Sequence, residues 1–200
     1  MTSILKVDEI QNTDGKTGLV ITPDGSVSAV SGVKFPEITG GDPARVITST
    51  TMSSYEEGTW VPQFGYGSPI STSGITYAGF DGRYTRIGNM VYVDGIILIS
   101  GWTDTSDGSV VITGLPFAVD NYTGLSSILS GSGVCSYSNG FDNVVDVITV
   151  VTTKNSDKSL SLYAKFSDRL TENHDSNVLS KDIISNNMGI RFSSAYRTDE

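Results

Sequence analysis

GRYTRIGNMVYVDGIILISG, residues 82–101, reads as two β-rich arms around one turn. Tyr84, Arg86, Met90 and Tyr92 alternate with their neighbours in the period-two pattern of a pleated strand. The second arm runs on into the dense apolar run Ile96-Ile97-Leu98-Ile99. Gly88-Asn89 lies between the arms, and both residue types tolerate the backbone of a two-residue hairpin turn. An antiparallel hairpin is predicted here.

Working outward, runs of the same kind continue to the C-terminus: GSVVITGLPFAV, YTGLSSILSGSGVCSYSNG, NVVDVITVVTTKN, KSLSLYAKFSD and MGIRFSSAYRT. TTKNSDKSLSLYAKF predicts another hairpin, turning at Asn155-Ser156-Asp157. SKDIISNN is the one helix-compatible segment, and it reads equally well as a strand. The composition agrees, with 22 Gly, nine Tyr and only 18% charged residues, a mixture that suits strands and tight turns better than helices. An all-β fold is expected. Residues 55–200 should form an antiparallel, jelly-roll-like β-sandwich of roughly eight to ten strands.

Residues 1–54 read differently. Their apolar residues come in short sets (Ile4, Val7 and Ile10; Leu19 and Ile21; Val27 and Val30; Val33, Phe35 and Ile38) separated by TDGKTG, TPDGS and TGGDP. Such pieces cannot close a core alone. A short-strand stalk or anchor segment is expected, ending in the polar linker DPARVITSTTMSS. Gly15-Lys16-Thr17 looks like the tail of a phosphate-binding loop, but the glycine required five residues earlier is Ile10, and no helical period follows. Asp14-Gly15 is better read as a turn. No stretch has the apolar length of a secretory signal or a membrane span, so a soluble chain made in a cytoplasm is expected.

The formal charge is −9, from 13 basic and 22 acidic residues. Such a surface repels phosphate backbones, so nucleic acid is not an expected partner. The single cysteine, Cys135, excludes an intrachain disulfide. The single histidine, His174, lies in the polar stretch LTENHDSN. It reads as an exposed polar residue rather than a member of a Ser-His-Asp triad or of a pair with Cys135. Asp104–Gly108, DTSDG, lacks the closing Glu of a calcium loop and reads as a turn. Glycosidase chemistry needs two carboxyls converging across a cleft, which no motif here signals. No catalysis, metal or cofactor is expected.

Four segments carry a resemblance: ILKVDEIQNTDGKTGLVITPDGSV (4–27), YEEGTWVPQF (55–64), GRYTRIGNMVYVDG (82–95) and VVITGLPF (110–117). In this order they resemble segments of tailed-bacteriophage appendage proteins, chiefly tail fibres. The match covers most of residues 1–118; residues 119–200 share only the β-rich style. The resemblance implies a homotrimeric structural protein of the virion, a short tail fibre. Its N-terminal segment, with Ile4, Leu5, Val7 and Ile10, would attach to a tail or fibre-adaptor protein. Its C-terminal β domain would contact a host-surface glycan or outer-membrane protein, without inserting into the membrane. A head fibre or capsid decoration protein, a polysaccharide-cleaving spike and a free-standing carbohydrate-binding module are the alternatives. Receptor contact would fall to loop-borne aromatics: Trp102, Tyr122, Tyr137 and Phe141, each with a place in the core as its other reading. Trp60 should close one end of the sandwich, Pro62 should mark an edge or strand start, and Phe117 should seat in the core.

Overall fold

The computed structural model describes residues 8–11, 14, 15, 17–29, 33, 34, 51, 52, 54–103, 108–120, 131–141, 145–152, 158–166, 177, 178 and 184–198. The chain divides into two compact units, Met1–Tyr55 and Glu56–Glu200. No helix occurs among the described residues.

In the first unit, β1 (Glu9–Gln11), β2 (Thr17–Ile21) and β3 (Val27–Ala29) form an antiparallel meander. β4 (Val33–Lys34) pairs with β5 (Thr51–Met52). Gly15 takes a φ of 73° between β1 and β2, the left-handed turn conformation expected of Asp14-Gly15. Another strand follows it, not the helix a phosphate-binding loop opens. Between β2 and β3, the Gly25 amide donates to the Thr22 carbonyl at 2.9 Å, closing the turn Thr22-Pro23-Asp24-Gly25. Every buried hydrophobic residue of the described core lies at or beyond Trp60. Within the first unit Ile10, Val27 and Val33 are exposed.

The second unit has ten strands: β6 (Tyr55–Thr59), β7 (Gln63–Tyr66), β8 (Ile75–Ile87), β9 (Met90–Trp102), β10 (Val110–Thr113), β11 (Gly131–Phe141), β12 (Val145–Thr152), β13 (Ser159–Phe166), β14 (Asn177–Val178) and β15 (Ile184–Arg197). The predicted hairpin is β8–β9, with Ile87 opposite Met90 and Gly88-Asn89 at the turn. The hairpin expected around Asn155-Ser156-Asp157 appears as antiparallel β12–β13; its tip lies outside the described residues. Of SKDIISNN, the described part, from Ile184, is strand.

The layers are made differently from the two separate sheets of a sandwich. All ten strands belong to one antiparallel sheet, in the order β6-β8-β9-β15-β11-β12-β13-β10-β7, with β14 beside β13. The two ends of that path, β6 and β7, are joined by only Trp60-Val61-Pro62. A three-residue link cannot span a flat nine-strand path, so the sheet curls over on itself. Register shifts within β8–β9, β11–β15 and β12–β13 supply bends. Closure shows in two contacts: Phe64 on β7 packs 5.9 Å from Trp102 on β9, and the Tyr77 hydroxyl on β8 donates to the Phe64 carbonyl at 3.3 Å. The inward residues of β9 and β15 (Val91, Val93, Ile97, Met188, Ile190 and Phe192) anchor the enclosed core.

Candidate functional site: the outward face of the long strands

The motif segments meet inside the fold. Trp60 is 7% exposed, and its indole N–H is shared between the Arg83 and Asp94 carbonyls at 3.2 and 3.3 Å. Its ring meets Phe192 edge-on at 6.1 Å. Both rings need glycine beneath them: a Cβ on Gly82 would lie 2.8 Å from the Trp60 indole nitrogen, and one on Gly95 would lie 2.7 Å from Phe192. Gly58 of EEGTW makes room in the same way for the ring of Tyr84, whose hydroxyl donates to the Glu56 carboxylate. That bond raises the Tyr84 pKa. Phe117 of ITGLPF, partly buried against the core, stacks edge-on with Tyr84 at 5.5 Å, and the Arg86 guanidinium sits 4.6 Å from its centroid. EEGTW, GRYTR and GLPF thus form one closing cluster, consistent with the structural reading of Trp60 and Phe117.

The opposite face of the same strands is open. Inward burial of Val91, Val93, Ile97 and Ile99 sends Tyr92, Asp94, Ile96 and Leu98 outward. The strand register aligns outward residues of four adjacent strands in rows across β8, β9, β15 and β11. One row is Thr85, Tyr92, Ala195 and Ser132. The next is Arg83, Asp94, Ser193 and Val134. Between them runs a groove of about 500 Å³, floored by the backbone at Tyr84, Val93, Ser194 and Gly133. Tyr92 is 50% and Val134 58% exposed on its walls.

Farther along, the outward face turns apolar. Leu98, in register between Gly79 and Gly189, spreads over both glycines. A Cβ on Gly189 would come within 2.6 Å of the leucine. The neighbouring row holds Asp81, Ile96, Arg191 and Tyr137. Asp81 and Arg83 form a loose, exposed ion pair at 3.7 Å.

The residues singled out from sequence fall in different places. Trp102, expected to enter a polar loop, instead ends β9 and is 7% exposed, packed between Phe64 and Tyr66. Its ring belongs to the core. Opposite it the register pairs Thr76 with Gly101 but Tyr77 with Ile99, so Ser100 is an extra residue in β9. Such a bulge reverses the alternation and turns Trp102 inward. Tyr137 is 52% exposed on the outward face, and Phe141 ends β11, opposite Ile184 in register. Ile10 is exposed on β1. Tyr122, Ile4, Leu5, Val7, His174 and Asp104 lie outside the described residues. Cys135 is half-buried in β11, and burial pushes its thiol pKa up. Loop-seeking for aromatics missed Tyr92, Asp94 and Arg83, which are borne on strands. Their signal was in the sequence: alternation through MVYVD followed by a run apolar on both faces.

Among the described residues no group of three or more His, Cys, Asp or Glu could hold a metal ion. No helix among them is long and apolar enough to cross a membrane.

No family model matches the sequence, and no curated protein matches it. Among solved structures, the crystal structure of the Dettilon tailspike protein (gp208) is similar, with a TM-score of 0.51 at 15% sequence identity. The likeness covers 72% of this chain and 24% of the tailspike chain, so this chain spans about a quarter of that protein's length. By fold, the chain is similar to part of a phage tailspike.

Proposed function

We propose that the protein is a homotrimeric phage tail fibre, a structural and adhesive component of the virion that acts without catalysis. The observation that carries this reading is the fold likeness to the tailspike over 72% of the chain. The outward face supports it. A strand apolar on both faces is the pattern of a strand covered on both, and in the described second unit Ile96 is only half-buried and Leu98 stays 37% exposed. A neighbouring copy would complete their cover. The first unit, whose described apolar side chains are largely exposed, would be completed by its counterparts in the trimer and would dock to another virion protein through the segment holding Ile4, Leu5, Val7 and Ile10. The second unit would then face the host surface.

Antibody raised against the protein and bound to intact phage particles, viewed by electron microscopy, tests this reading. Label at the tail supports the fibre. Label on the head supports the head-fibre or decoration alternative. Particles free of label overturn a virion role.

A further inference from the structure

We propose that the groove across β8, β9, β15 and β11 is a carbohydrate-binding subsite that takes a short oligosaccharide. The proposal rests on the adhesive reading above and deepens it, because it names the chemistry the outward face would recognise.

Size is the first argument. Small-ligand clefts measure about 300–1,000 Å³, and this groove holds about 500 Å³. It crosses four strands, about 14 Å at the usual strand spacing, which suits an elongated ligand. The groove stays open because β15 places only Ser193 and Ala195 at its centre.

Chemistry is the second. Tyr92 offers an exposed aromatic wall, to which the apolar C–H face of a sugar ring can pack while the phenol stays wet. Asp94 and Arg83 stand side by side in one row, a carboxylate to accept from sugar hydroxyls and a guanidinium to donate to them. Ser132 and Ser193 add exposed hydroxyls that can do either. Aromatic face, acceptor, donor and hydroxyls in one trough match a polyhydroxylated ring with one apolar face.

Other occupants fit less well. The centre of a protein–protein interface is depleted in Asp, Ser and Ala, yet Asp94, Ser193 and Ala195 line the two central strands of the groove. The apolar half of the face, around Leu98, is the better surface for a second copy. A phosphate-like anion would meet the Asp94 carboxylate on a chain of net charge −9.

The test uses the full-length protein on an array of bacterial surface oligosaccharides, with Tyr92→Ala, Asp94→Asn and, as a control on the same face outside the groove, Ile87→Ala. Light scattering and a melting curve on each sample report assembly and folding. The expected result is retention of at least one oligosaccharide, weakened about tenfold or more by Asp94→Asn and by Tyr92→Ala and unchanged by Ile87→Ala. Asp94→Asn keeps size and shape, so it answers the question if Tyr92→Ala fails to fold. Three results overturn the proposal: no oligosaccharide retained by the wild type, binding indifferent to both groove substitutions, or a folded groove variant that falls from the wild-type mass to a smaller one, which would make the groove an interface between copies. A monomeric wild type that still binds sugar through the groove would leave the subsite standing and sink the trimer.

Discussion

Trp60 shows why the glycines of EEGTW, FDGRY and VDGI belong to one device. An indole lies over Gly82, Phe192 lies over Gly95, and Tyr84 lies over Gly58. Each ring fills space that a side chain would occupy. Trp60→Ala should cost about 3–5 kcal/mol by leaving a cavity where the sheet's two ends are linked. Gly95→Ala should cost about 1–3 kcal/mol by the opposite fault, an added methyl against Phe192. Urea unfolding measures both, and a shift below about 1 kcal/mol for Trp60→Ala would remove the closing cluster from the account. Cys135 makes a separate prediction. Burial raises its pKa, so at pH 8 less of it is thiolate than in an open chain, and its S–H is engaged by the Tyr137 carbonyl at 3.0 Å. Iodoacetamide should label it about tenfold or more slowly in the folded protein than in urea; equal rates would place the thiol in solvent.

The elements differ in how plainly the sequence shows them, for physical reasons. The β8–β9 hairpin was legible because alternation and turn chemistry agree over neighbouring residues. The place of β15 between β9 and β11, and of β10 between β13 and β7, was not. Those pairings join residues far apart in the chain, and the Ser- and Asn-rich β15 carries weak strand propensity of its own. Of the two readings of Trp102 the core one holds, and the loop one fails on one inserted residue, Ser100, which no local composition announces. The outward site was half legible: alternation marked Tyr92 and Asp94, but only the register shows that they line up with Ser193, Ser132 and Arg83. The β2–β3 turn was legible from TPDGS, and it makes a prediction. The Asp24 carboxylate accepts from the Thr22 hydroxyl first, then from the Ser26 amide at 3.0 Å and the Ser26 hydroxyl at 2.9 Å, which lowers its pKa from 3.8 to about 2. The folded value is the lower one, so the carboxylate's contribution to the turn is complete above the ordinary value and is lost as pH falls from 3.8 toward about 2. NMR titration of Asp24 with the Ser26 amide should show both moving together in that window. A carboxyl titrating at its ordinary value would mean the turn forms without it.

At the scale of the whole molecule, a ten-stranded sheet curls to enclose one core, and the outer face of β9 carries the half-buried Ile96 and the 37% exposed Leu98. The described first unit contributes nothing to the buried core. In the proposed fibre further copies of the chain would complete both features, and closed rings of identical subunits are the usual way to supply them. Leu98 is the side chain placed to report this, since it lies outward over two glycines where a neighbour can approach closely. Leu98→Asp should leave the β-sheet circular dichroism of the second unit intact while lowering the mass of the assembly. The most direct measurement is the solution mass of the full-length protein by light scattering, with Leu98→Asp beside it. The account predicts three times the 21.3 kDa chain, about 64 kDa, for the wild type and a smaller species for the variant. A wild type that stays at 21.3 kDa at every concentration would contradict it.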